Sequence, residues 1–164
     1  MSDCYYDADR CLVCPEQTAQ ESVPSRVERR AVLGWNAGAN SIAMVDGDLR
    51  VVTDMPLGVI GAIVGLKGGR KQPTLPSLIE HGWYFQKVGS ADLVQPIERG
   101  VPVGSPIAGR TATTLFEVRR VNDRVNYLMD GVTVHASALP SAGAKVVNCC
   151  LYASGDGAPS GAPA

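Results

Sequence analysis

Thr114-Leu115-Phe116-Glu117-Val118-Arg119-Arg120-Val121-Asn122-Asp123-Arg124-Val125-Asn126-Tyr127-Leu128-Met129-Asp130-Gly131-Val132-Thr133-Val134-His135-Ala136-Ser137 is the stretch that decides the fold. Apolar and polar residues alternate along it, and a period of two places them on opposite faces of a strand. The alternation breaks at Asn122-Asp123 and at Asp130-Gly131. These residue types tolerate the positive φ that two-residue hairpin turns demand. The stretch therefore predicts a three-stranded antiparallel meander.

The neighbouring segments read the same way. Ile79 to Val88 alternates, with His81, Trp83 and Phe85 on one face and Gly82, Tyr84 and Gln86 on the other, and Leu93 to Ile97 follows as a strand. Gly58 to Leu66 is a continuous apolar run whose glycines and β-branched residues favour a buried strand. Leu49 to Thr53 and Ser41 to Val45 are strands that Asp46-Gly47 would join as a hairpin. Ala31 to Trp35 is a short strand closed by a turn at Asn36-Ala37-Gly38. Lys67 to Pro76 is a basic loop rich in Gly and Pro, which reads as solvated. Val146 to Tyr152 is the closing strand. Cys149 and Cys150 there must point to opposite faces, one buried and one half-exposed. Eight to ten strands, no amphipathic helix and no internal repeat predict an all-β fold, an antiparallel β-sandwich. The sandwich spans residues 31–153, after an extended polar arm at 1–30 and before a flexible Gly/Pro/Ala tail at 154–164.

Composition excludes several classes. The chain has 164 residues, enough for one domain with a real core. Lys plus Arg number 15 against 16 Asp plus Glu, so the charge that nucleic acid demands is absent. No apolar run approaches the roughly 18 residues of a membrane span. The acidic start, Met1 to Arg10, has no apolar segment of a secretory signal.

The five cysteines are Cys4, Cys11, Cys14, Cys149 and Cys150. An odd count without a secretory signal argues against a disulfide framework. Cys4, Cys11 and Cys14 form C-x6-C-x2-C followed by Pro15, a spacing that lets thiolates converge on one ion. A closed zinc or iron–sulfur site takes four ligands, so the fourth would be His81, His135, Cys149, Cys150 or a residue of another protein. The alternative is three reduced thiols on a leader. Tyr5 and Tyr6 beside Cys4 suit a protein interface, where aromatics are enriched.

Nothing points to an enzyme. G-x-S-x-G, H-E-x-x-H and a phosphate-binding loop are absent, and Gly65 to Lys71 lacks the required spacing. Glu80 and His81 are adjacent on a strand and point apart, so they form no acid–base dyad. Trp83, Tyr84 and Tyr127 would stack on a sugar ring if exposed; the competing reading for Trp83 is core.

The meander carries a resemblance. Phe116-x-Val118-x-Arg120, then Val125-x-Tyr127-x-x-Asp130-Gly131, His135, Ser137 and Pro140, then Val147-x-x-x-Leu151-Tyr152 resemble concanavalin A-like (LamG/SPRY-like) jelly-roll domains. Trp35 to Ala39 and the Gly47-Asp48 turn are similar to their opening strands. Asp130-Gly131 stands where Asn-Gly is usual. Such domains are common in phage tails, and the whole chain is similar to a small siphophage tail-tip or baseplate protein. The resemblance implies a structural virion component, made in the bacterial host cytoplasm and partnered by hub and other tail proteins. It implies three copies around the tail axis. Hub proteins of such tails carry Cys-ligated iron–sulfur clusters. The resemblance therefore implies a cluster, or alternatively zinc, at Cys4, Cys11 and Cys14, with a fourth ligand from a partner chain. A second expectation is a module on the virion that binds carbohydrate or a receptor, with a host surface glycan as ligand.

Overall fold

The computed structural model describes residues 3–6, 12–13, 34–41, 44–69 and 75–153. The expected meander is present as β9 (Phe116–Val121), β10 (Arg124–Met129) and β11 (Val132–Ala136). Asn122, Asp123, Asp130 and Gly131 all have positive φ, as the two tight turns require. Asp130 ties the second turn down, its carboxylate accepting from the Leu115 backbone N–H.

Two six-stranded sheets pack face to face. The first has the order β11-β10-β9-β4-β1-β2, with β1 at Asp3–Tyr6, β2 at Leu12–Val13 and β4 at Leu49–Thr53. β4 runs antiparallel to β9, whereas β1 lies parallel to β4 with Cys4 opposite Val51. The second sheet has the order β3-β12-β5-β6-β7-β8 and is antiparallel throughout. Its strands are β3 (Gly34–Asn40), β5 (Gly61–Gly68), β6 (Ile79–Val88), β7 (Ala91–Glu98), β8 (Val101–Pro102) and β12 (Lys145–Ala153).

Several boundaries differ from the sequence reading. Asn36-Ala37-Gly38 is no turn: β3 runs through it because these residues pair with Leu151, Cys150 and their neighbours on β12. Of the predicted strand Ser41 to Val45, Ser41 donates its N–H to the Val147 carbonyl and Val45 bridges Lys145, while residues 42 and 43 lie outside the described residues. Gly47 does take positive φ, and its N–H bonds the Asp46 carboxylate. The turn leads from one sheet to the other and closes no hairpin, since β4 pairs with β1 and β9. Lys67 lies within β5, next to its last residue Gly68, and is fully buried, so it is not part of a solvated loop.

The core between the sheets is aromatic. Trp83 meets Phe116 at 5.3 Å and Tyr127 at 5.5 Å between ring centroids, both edge-to-face, the arrangement that the ring quadrupoles favour. Its indole N–H donates to the Glu117 carbonyl, 3.0 Å away, on the opposite sheet. Ala62, Val64, Leu66, Phe85, Val118 and Val125 surround it.

β5 is buried on both faces, as its continuous apolar run implies. Its other face joins Ile63 to Ile79, Ile97 and Cys150 in a second small cluster, against which Trp35 and Tyr84 pack. Gly65 and Gly82 are paired there, and a Cβ on Gly65 would sit 2.2 Å from the His81 carbonyl oxygen. Only glycine allows β5 and β6 to approach so closely.

Two buried arginines pin the loops. Arg120 alternates inward with Phe116 and Val118, and its guanidinium donates to the carbonyls of Gly47, Ser141, Gly143 and Val45. Arg110 donates to the Met55 and Pro56 carbonyls and to the Asp92 carboxylate, and lies over the Phe85 ring. Asp92 in turn accepts from the Gly58 N–H.

Candidate functional site

The residues singled out by sequence separate into three places. The first is the edge of the first sheet. Cys4, Tyr5 and Tyr6 lie on β1, and β2 pairs back on it with Tyr5 opposite Val13 and Tyr6 opposite Leu12. Cys11 and Cys14 immediately flank β2 in sequence, and both lie outside the described residues. Among the described residues, no three His, Cys, Asp or Glu side chains come together to hold a metal ion.

Three of the fourth-ligand alternatives within the chain are engaged elsewhere. Cys149 and Cys150 do face opposite sides of β12, but both are buried, because each side of the sheet has its own cluster. The half-exposed thiol expected there is therefore absent. Burial and the neighbouring Cys149 push the Cys150 thiol up to about 12, even with Lys67 nearby. It remains a neutral thiol that donates to the Asn148 side-chain oxygen. His81 is buried, its Nδ1 3.3 Å from the Tyr127 hydroxyl.

The second place is a polar layer between the sheets, which sequence reasoning did not assemble. The Tyr127 O–H donates to the Ile97 carbonyl at 2.9 Å, while the rings of His81 and His135 flank the phenol on either side. His135 on β11 donates from Nε2 to the Glu98 carboxylate on β7 at 3.1 Å and so links the two sheets. Glu80 turns away from His81, as adjacent strand residues must, and pairs with Lys145 at 2.8 Å. Burial holds His81 below the ordinary histidine range; Glu98 and Glu80 oppose that shift and Lys145 adds to it. Burial raises Tyr127, with Glu98 adding to the effect. The result is a brace in which each polar group is spent on a partner. A signal for it existed: His81 and Trp83 share a face, and Tyr127 alternates inward with Val125.

The third place is the outer face of the second sheet. Trp83 and Tyr127 are not there: at 1% and 0% exposure they are core, so they cannot stack on a sugar. This corrects the expectation for both, since the space between the sheets is where their apolar area is buried. Tyr84 does lie on the outer face, half-buried, and two partners that sequence did not identify join it. Trp35 on β3 sits 6.0 Å from Tyr84 and 5.6 Å from Tyr152 on β12, between ring centroids. The register that sets Tyr152 opposite Trp35 brings them together across a strand pair no local pattern reveals. Gly61 lies beneath: a Cβ there would be 2.9 Å from the Tyr152 Cβ and 3.4 Å from the Trp35 ring.

No protein-family model matches this chain, and no curated protein matches it.

Proposed function

We propose that the chain is a non-enzymatic structural component of a phage tail tip or baseplate. The sandwich acts as a rigid block, and the Cys-bearing N-terminal segment docks it on a hub or neighbouring tail protein. The observation that carries this reading is the strand pairing at the first sheet's edge. β1 is seated on β4, and β2, flanked in sequence by Cys11 and Cys14, is the outermost strand of that sheet among the described residues. An outermost strand offers backbone groups for pairing with another chain. Thiolates at Cys4, Cys11 and Cys14 have the donor chemistry for an iron–sulfur cluster or zinc, with a partner's ligand completing the set. Such a group would staple the segment to its partner. The motifs of the resemblance fall on β9, β10 and β12, which supports the reading at the level of fold.

The test is gradient sedimentation of tails assembled with the wild-type chain or with C4S/C11S/C14S. The wild type is expected to co-sediment with tails and to carry metal there, and the triple variant to stay at the top of the gradient while keeping the wild-type melting temperature. Equal incorporation of both chains would refute docking through the cysteines.

A second reading, a carbohydrate-binding module on the virion surface, is favoured by one observation: the half-buried cluster of Trp35, Tyr84 and Tyr152.

A further inference from the structure

The residues that alternate onto one end of the outer face of the second sheet are Ile63, Tyr84, Gln86, Leu93, Gln95 and Tyr152, with Trp35 entering from β3. None of them is charged. The salt bridges found among the described residues lie elsewhere, at Arg50–Glu117, Arg119–Glu117, Arg110–Asp92, His135–Glu98 and Lys145–Glu80. Trp35 has a glycine floor, Gly61, so its ring lies close against the strand backbone instead of standing on a side chain. Tyr84 and Tyr152 flank it, tilted at 56° and 78°, and form the two walls of a shallow aromatic corner. All three rings retain solvent exposure. The phenol hydroxyls and the Gln86 amide supply donors and acceptors at its margin. Burial raises Tyr84, and Tyr152 adds to that, so the Tyr84 hydroxyl stays a neutral donor at physiological pH.

We infer that this corner binds a neutral hexopyranose of a surface polysaccharide. The apolar C–H face of the sugar would stack on Trp35, and the hydroxyls at its edge would meet Tyr84, Tyr152 and Gln86. The lack of charge selects the occupant. A phosphorylated or uronic-acid sugar would lose its water to Trp35, Tyr84, Tyr152 and Gln86, none of which is a cation to replace it, whereas aromatic rings with neutral hydrogen-bonding groups complement a neutral sugar. The inference rests on the carbohydrate-binding reading and names its site.

The experiment is a titration of the full chain with three neutral polysaccharides, a glucan, a mannan and a galactan, and with heparin as the anionic probe. Binding is read by calorimetry and by protection of tryptophan fluorescence from acrylamide. The expected result is binding of at least one neutral polymer, with the accessible part of the fluorescence protected. Trp35→Ala is expected to weaken it by about tenfold or more. Tyr84→Phe, which keeps the ring, serves as the second variant should Trp35→Ala unfold, and is expected to weaken binding without moving the melting temperature. Binding that persists unchanged in both variants would overturn the site while leaving the carbohydrate reading standing. No binding of any neutral polymer would overturn both, and binding of heparin alone would overturn the neutral specificity.

Discussion

The hydroxyl of Tyr127 lies 3.3 Å from Nδ1 of His81, inside the sandwich, where Glu98 stands opposite His81 on the neighbouring strand. Around that pair stand Glu98, Glu80, Lys145 and His135. His81 is held below its ordinary value of 6.5, chiefly by burial. The unfolded chain therefore binds a proton more readily than the folded one. Stability from this group is present above about pH 6.5 and is lost as pH falls toward the lower folded value. Thermal melts between pH 7.5 and 5.5 are expected to show a falling melting temperature. His81→Gln is expected to flatten that slope, whatever its effect on absolute stability. An unchanged slope in the variant would exclude His81 as its source.

Trp83 carries the packing between the sheets. Trp83→Ala removes two edge-to-face contacts and a buried hydrogen bond, and is expected to cost about 3–5 kcal/mol. Trp83→Phe keeps the ring but leaves the Glu117 carbonyl without its donor, an expected cost of about 1–3 kcal/mol. Urea denaturation measures both. A Trp83→Ala chain as stable as the wild type would contradict the placement of this residue.

Arg120 behaves as a loop clamp rather than a surface charge. Arg120→Met fills similar space but deserts the carbonyls of Gly47, Val45, Ser141 and Gly143. The expected loss is about 3 kcal/mol or more, because buried acceptors keep their desolvation cost once the donor is gone. Hydrogen exchange is expected to quicken in the loops at residues 45–48 and 141–144 before it does elsewhere.

Those two residues show where sequence was legible. The alternation through Phe116, Val118 and Arg120 placed all three on one face, and the turn chemistry at Asn122-Asp123 and Asp130-Gly131 set the meander's register. Local pattern carried β5, β6, β7 and β12 in the same way. It failed where pairing decides. Asn36-Ala37-Gly38 has turn composition, yet β12 supplies a ladder that draws it into β3. Trp35 and Tyr152 lie far apart in sequence and meet only through that ladder. Trp83 read as core or sugar platform and Tyr127 as sugar platform, and only the packing of one sheet on the other places both in the core. His135 and Glu98 sit on different sheets, so no spacing rule joins them.

Cys149 and Cys150 are buried on opposite faces of β12, and Cys150 titrates only near 12. Thiol reagents are expected to leave both unmodified in the folded chain at pH 8 and to label both in urea, since the thiolate is the reactive species. Peptide mass spectrometry after maleimide labelling reads each site separately. Rapid native labelling at either position would mean that β12 opens at its outer or inner face.

Immunogold electron microscopy of phage particles, with antibody raised against the folded sandwich, tests the central claim most directly. The account predicts gold at the distal end of the tail. Gold absent from tails, with the chain remaining in the particle-free fraction, would contradict it.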